Sequence, residues 1–164
     1  MNRIRINVDR NMNYMYHMNA VAKCGTDNEY GRKYARLHSV EDLEILKQHE
    51  GKREYSPEVS EVLKGNFDVY IYNIWYEIRS SLMEYAESLQ KRFNESDFTA
   101  QEDAKLGIQS KTYFNVYLCN AVTSGEEELF AEEARLVVGT DQSLEDAAAY
   151  IEKAYIRYLS QVQK

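Results

Sequence analysis

The sequence predicts a mainly α-helical protein. It reads as a single-domain helical bundle over 1–164 around a long central helix at about 66–93, with a short N-terminal strand. A second strand near 112–122 competes with helix there. Three observations carry this. First, Phe67, Ile71, Ile74, Ile78, Leu82, Tyr85, Leu89 and Phe93 recur at spacings of three and four, the period of one helix face. A second line, Val69, Tyr72, Tyr76 and Met83, with Trp75 at its edge, predicts that this helix is enclosed by neighbours. Second, capping residues open and glycines close the segments on either side. Third, Ile4, Ile6 and Val8 alternate with Arg3, Arg5 and Asn7, the period of a half-buried strand.

Taken in order, Asp9 can cap a helix to Cys24 with Met12, Met15, Met18 and Ala22 along one face, stopped by Gly25. Asp27 or Asn28 opens a shorter helix carrying Tyr30, Tyr34 and Leu37. Ser39 and Asp42 resemble a capping box for a helix to about Glu50, ended by Gly51. Ser56-Pro57 places a cap before a proline at the first helical position. Gly65 is expected to close that short helix, on Val59, Val62 and Leu63, before the long one begins. Thr99 with Glu102 opens a helix ended by Gly107. Ser124 with Glu127 opens one with Phe130, Ala134 and Val137 inward, ended by Gly139. Ser143 with Asp146 opens the last, whose stripe is Leu144, Ala148, Ile151, Tyr155, Tyr158 and Val162. Between these, Thr112 to Val122 reads as a strand through Phe114, Val116, Leu118 and Val122, or as a helix through Phe114, Leu118 and Ala121, with helix slightly ahead.

Composition narrows function by exclusion. No apolar run reaches the roughly 20 residues that span a bilayer, so no membrane association is expected. The first eight residues lack an apolar leader core. Cys24 and Cys119 are too few for a disulfide framework, and reduced thiols point to the cytoplasm. The net charge is −7, with residues 1–65 near balance and 66–164 strongly acidic. That argues against nucleic acid, whose binding needs cations to displace phosphate counterions, and leaves open a basic protein partner. Fourteen tyrosines against five phenylalanines suit rings that are buried while their hydroxyls reach a partner.

Familiar chemistry leaves no signature. The glycines are too scattered for a phosphate cradle, and there is no nucleophile elbow. His17, His38 and His49 lie outside any metal-ligand spacing, so no metal or other cofactor is expected. Were a metal held, these three histidines would be its candidates. Cys24 lies about 10 Å along its helix from His17, too far for a Cys–His pair, and reads as a small hydrophobe. Glu126, Glu127 and Glu128 suit the first turn of a helix, with Glu132 and Glu133 beyond. On the long helix, Asn73, Glu77, Ser81, Glu84 and Ser88 form a polar stripe, and Arg79 is placed where it could lie on Trp75. Asn73, Glu77, Arg79, Glu84 and Trp75 are therefore the candidate binding residues, and no catalytic residue is assigned.

The pattern favours a non-catalytic interaction or regulatory module with an acidic C-terminal half. The alternatives are a metal-dependent hydrolase with His and Glu ligands drawn from separate helices, or a small-ligand sensor. An exposed N-terminal strand would also allow pairing with a second copy of the chain.

Overall fold

The computed structural model describes residues 2–24, 28–49, 55–122, 125–129 and 134–162. The chain is mainly helical and divides into two compact units, Arg10–Arg79 and Met1–Asp9 with Ser80–Lys164.

The first unit is helical. It holds α1 (Arg10–Cys24), α2 (Glu29–Tyr34) with a 3₁₀ turn (Ala35–Leu37), α3 (Val40–Gln48) and α4 (Pro57–Tyr70), which passes into a π turn (Ile71–Trp75). Three predicted caps form: Asn28, Ser39 and Ser56 accept from the backbone N–H of Gly31, Asp42 and Val59. Each satisfies a donor that the first helical turn leaves without an intrahelical partner. The core gathers Met18, Val21, Leu46, Val59, Val62, Tyr70 and Ile74. Gly25 and Gly51 lie outside the described residues.

The long helix differs from expectation in two ways. It starts at 57 rather than 66, because α4, the π turn and α5 (Tyr76–Asn94) are continuous. Gly65 does not end it. A glycine inside a helix costs only about 1 kcal/mol relative to alanine, which the Ser56–Pro57 start and the buried Val59 and Val62 readily offset. Within the π turn the Tyr76 N–H reaches the Ile71 carbonyl, five residues back. Upstream of it Asn66 and Tyr70 are the buried residues, one position before the Phe67 and Ile71 of the predicted stripe, which are partly buried against the same core. The second apolar line is not enclosed: Tyr72, Tyr76 and Met83 are all exposed.

The second unit is built on a four-stranded sheet in the order β1-β2-β4-β3, with β1 (Ile4–Asn7), β2 (Phe114–Cys119) and β4 (Ala134–Gly139) parallel and β3 (Gly125–Leu129) antiparallel at the edge. The segment near 112–122 is thus a strand, with Phe114, Val116 and Leu118 buried. The expected helix after Ser124 is instead a β-hairpin, with Glu127 paired to Leu136. Leu136, Val137 and Val138 are all fully buried, as in the interior of a parallel sheet. So short an apolar run does not distinguish strand from helix by its period. Glu126 to Glu128 accordingly lie in a strand, not a first turn, while Ser124, Phe130, Glu132 and Glu133 fall outside the described residues. Gly139 is needed for space rather than for a helix stop, since a Cβ there would sit 2.1 Å from the Val122 carbonyl oxygen.

In the same unit lie α6 (Phe98–Lys105) and α7 (Leu144–Val162), and the Ser143 hydroxyl caps α7 at Asp146. Gly107 does end α6. At φ 67 it lets the Ile108 N–H bond the Asp103 carbonyl at 2.9 Å, a Schellman closure. Thr99 is not a cap: its hydroxyl accepts from the Arg3 N–H, and α6 starts one residue earlier.

Arg3, assigned by alternation to the solvent side of β1, is buried. Its guanidinium grips both oxygens of Asp103 at 2.8 and 3.0 Å and bonds the Thr112 carbonyl, while the Tyr155 hydroxyl donates to the same Asp103 at 2.6 Å. This clamp ties β1 to α6 and α7 through charge-assisted bonds. The outer edge of β1 is occupied by side chains. Gln90 accepts from the Ile6 N–H and donates to the Ile4 carbonyl, and Asn2 accepts from the Ile4 N–H.

The two glycines set up a contrast. Gly65→Ala meets nothing within 4 Å and should raise stability by about 0.5–1 kcal/mol. Gly139→Ala should lower it by about 1–3 kcal/mol through overpacking against Val122. Denaturant midpoints of the two variants check the opposite signs.

Candidate functional site

The candidate site lies inside the helical unit, where α1, α2, α3 and α4 each contribute a polar side chain to one continuous hydrogen-bonded chain. His17 is on the buried face of α1, one turn after Tyr14 and Asn13, and is fully buried. His38 sits between the 3₁₀ turn and the Ser39 cap, in extended backbone that turns its ring inward. Their Nε2 atoms are 2.8 Å apart. The ring centroids stand 5.1 Å apart, as far as that short contact allows, so the two imidazoles meet head-on. His17 Nδ1 lies 2.8 Å from the Tyr30 hydroxyl, and His38 Nδ1 lies 2.7 Å from Asn66 Oδ1. Asn66 Nδ2 donates to Asp42 Oδ2 at 3.1 Å and to the Val62 carbonyl at 2.7 Å.

These partners fix the proton positions. Both partners of Asn66 Nδ2 are acceptors only, so the amide oxygen must face His38, and His38 Nδ1 must carry a hydrogen. A neutral His38 then presents Nε2 as acceptor, His17 Nε2–H is the donor to it, and His17 Nδ1 accepts from the Tyr30 hydroxyl. Every donor points along one direction, from Tyr30 toward the Asp42 carboxylate.

The surroundings keep the pair neutral. Burial, and after it the neighbouring His38, lower His17 to about 3. His38 is lowered too, by burial, against the upward pull of its bond to Asn66 and the charge of Asp42. Aromatic rings close around His17: Tyr70 at 4.9 Å, Tyr30 at 5.7 Å and Tyr34 at 6.0 Å between centroids. Burial chiefly, with Asp42 second, raises the Tyr14 phenol, whose hydroxyl donates to the Leu63 carbonyl. A histidine this far below its ordinary value is a poor general base at neutral pH. The arrangement is suited to holding helices together and to responding to acid.

The candidates from the polar stripe lie elsewhere. Asn73, Glu77, Arg79 and Glu84 are exposed. Asn73 donates to the carbonyl of Val69 in its own helix at 2.8 Å. The Arg79 guanidinium lies 4.9 Å from the Tyr76 ring centroid, on the neighbouring tyrosine rather than on Trp75, which is half-buried against the helical core. Of the three histidines, two converge and His49 does not; its ring lies 5.0 Å from that of Tyr55. Among the described residues, no group of three or more His, Cys, Asp or Glu side chains is placed to hold a metal ion. Sequence reasoning missed Tyr30, Asp42 and Asn66. The one available signal was an asparagine at a helix-interior position that the periodicity of Val59 and Val62 places on the inner face.

A cavity of about 470 Å³ lies in the other unit, between Arg3, Asp103 and the turn from Gly107 to Ser110. Its charged floor is already paired within the Arg3–Asp103 clamp. The chain has no significant match among protein-family models, curated proteins or solved structures.

The chain of bonds makes Asn66 and Asn73, both on the long helix, respond differently. Asn66→Ala strands the His38 Nδ1–H in the core and should cost about 1–3 kcal/mol. Asn73→Ala should stay within about 0.5 kcal/mol. Chemical denaturation of the two variants at pH 7 measures the difference.

Proposed function

We propose that this chain is a non-catalytic interaction module that presents an aromatic and acidic helix face to a basic protein partner. The observation that carries the reading is the exposed tyrosine pair on the long helix. Tyr72 and Tyr76 are 69% and 51% exposed, one turn apart, with ring centroids at 5.8 Å. Around them Asp68, Asn73 and Glu77 are also exposed, and Arg79 lies on the Tyr76 ring. Tyrosine offers large contact area with few rotatable bonds and is enriched where proteins meet. Carboxylates beside such rings favour a cationic partner and steer its approach. The buried histidine chain supports the same reading from the other direction, because its polar atoms are engaged with one another.

The test is capture of basic proteins on the immobilised full chain at low and moderate salt, with Tyr72→Ala/Tyr76→Ala beside the parent. The parent should retain a partner that salt releases, and the variant should lose it while its unfolding midpoint stays within about 0.5 kcal/mol of the parent. Absence of a salt-sensitive partner, or equal retention by the variant, contradicts the proposal.

A further inference from the structure

We propose that the His17–His38 contact is an acid-operated latch, closing α1 onto the α2–α3 segment at neutral pH and opening when the pair takes up two protons. Two rings meeting head-on through Nε2 at 2.8 Å have room for one hydrogen between them, and in the neutral pair His17 supplies it. The first added proton has a place to go. It binds His17 Nδ1, and the Tyr30 hydroxyl turns from donor to acceptor while the Nε2–Nε2 bond persists. The positive charge is answered through His38 and Asn66 by the Asp42 carboxylate. The second proton has no such place. It must bind His38 Nε2, setting two N–H groups and two imidazolium charges against each other across that contact. Separation of the rings is then the available relief, and the rings belong to different elements, α1 and the link between the 3₁₀ turn and α3.

Among the described groups facing the pair, the Asp42 carboxylate opposes that second charge, and burial outweighs it at His38. α1 supplies Tyr14, α2 supplies Tyr30 and Tyr34, and α4 supplies Tyr70, each a phenol rather than a carboxylate. Asp42 of α3 is the carboxylate that the chain of bonds reaches. Lys33 lies beyond Tyr34, its ammonium 5.0 Å from that ring's centroid and within the field of Glu77 and Glu29.

The sign follows from linkage. In the latched state His17 stands at about 3 and His38 below its ordinary value, whereas released histidines titrate near 6.5. The open state therefore binds protons first. Latching is complete above about pH 6.5 and weakens as the pH falls below it. The opening equilibrium grows up to about 100-fold per pH unit when both rings take up protons, and about 10-fold when one does.

Native-state hydrogen exchange of the full chain at pH 7, 6 and 5, corrected for intrinsic rates, reads this directly. Amides of α1, α2 and α3 should lose protection toward the two-proton slope, while those of β2 and β4 keep theirs. Asp42→Asn should keep a steep slope, which separates the histidines from carboxylate titration. His17→Gln retains a donor toward His38 and an acceptor toward Tyr30, so its slope should fall toward the one-proton value. Unchanged protection between pH 7 and 5 overturns the latch, as does equal loss in β2 and β4 or a His17→Gln slope equal to the parent's. If that variant fails to fold, the wild-type profile across the two sets of amides decides by the same criteria.

Discussion

A polar group withdrawn from water must find a partner or cost the fold several kcal/mol, and this constraint organises both units of the chain. In the helical unit it is met by five side chains in series, from Tyr30 through His17, His38 and Asn66 to Asp42. In the sheet unit it is met by Arg3, Asp103 and Tyr155, where one carboxylate accepts from a guanidinium and a phenol. Gln90 extends the principle to the sheet edge, where its amide takes the place of a missing strand. A row of free N–H and C=O groups would otherwise invite pairing with another chain. In each case the partners come from distant parts of the sequence, so satisfying the polar atoms also fixes which elements pack together.

The π turn at Ile71–Trp75 is where backbone geometry serves that constraint. Asn66, Tyr70 and Ile74 share the buried face of the helical unit, and Asn66 and Tyr70 reach the histidines. Phe67 and Ile71, one position later, are partly buried against the same core. Tyr72 and Tyr76 lie on the opposite, exposed face.

Local chemistry was legible in the sequence and long-range chemistry was not. The caps at Asn28, Ser39, Ser56 and Ser143 and the left-handed Gly107 were readable because each acts within four residues of itself. The N-terminal strand was readable from alternation. The hairpin of β3 and β4 was not, because acidic residues before an apolar run mimic a capped helix, and it is the pairing of Leu136 with Val116 on one side and Glu127 on the other that makes the run a strand. Gly65 and Gly139 misled for the same reason: a glycine marks freedom or closeness, and the sequence does not say which. The histidine pair was least legible. His17 and His38 are 21 residues apart and Asn66 is a further 28, so no spacing rule joins them. The exposed polar stripe at Asn73, Glu77 and Glu84 was conspicuous because it is regular, and regularity on a helix is what a solvated face also produces.

The proton arrangement is the central claim, and nitrogen NMR of selectively labelled histidine tests it most directly. At pH 7 His17 should carry its hydrogen on Nε2 alone and His38 on Nδ1 alone, with a scalar coupling between the two Nε2 atoms across their hydrogen bond. The remaining ring nitrogens should give neutral, unprotonated shifts. Rapidly averaged tautomers, a reversed assignment, or two rings titrating independently near their ordinary value would contradict it.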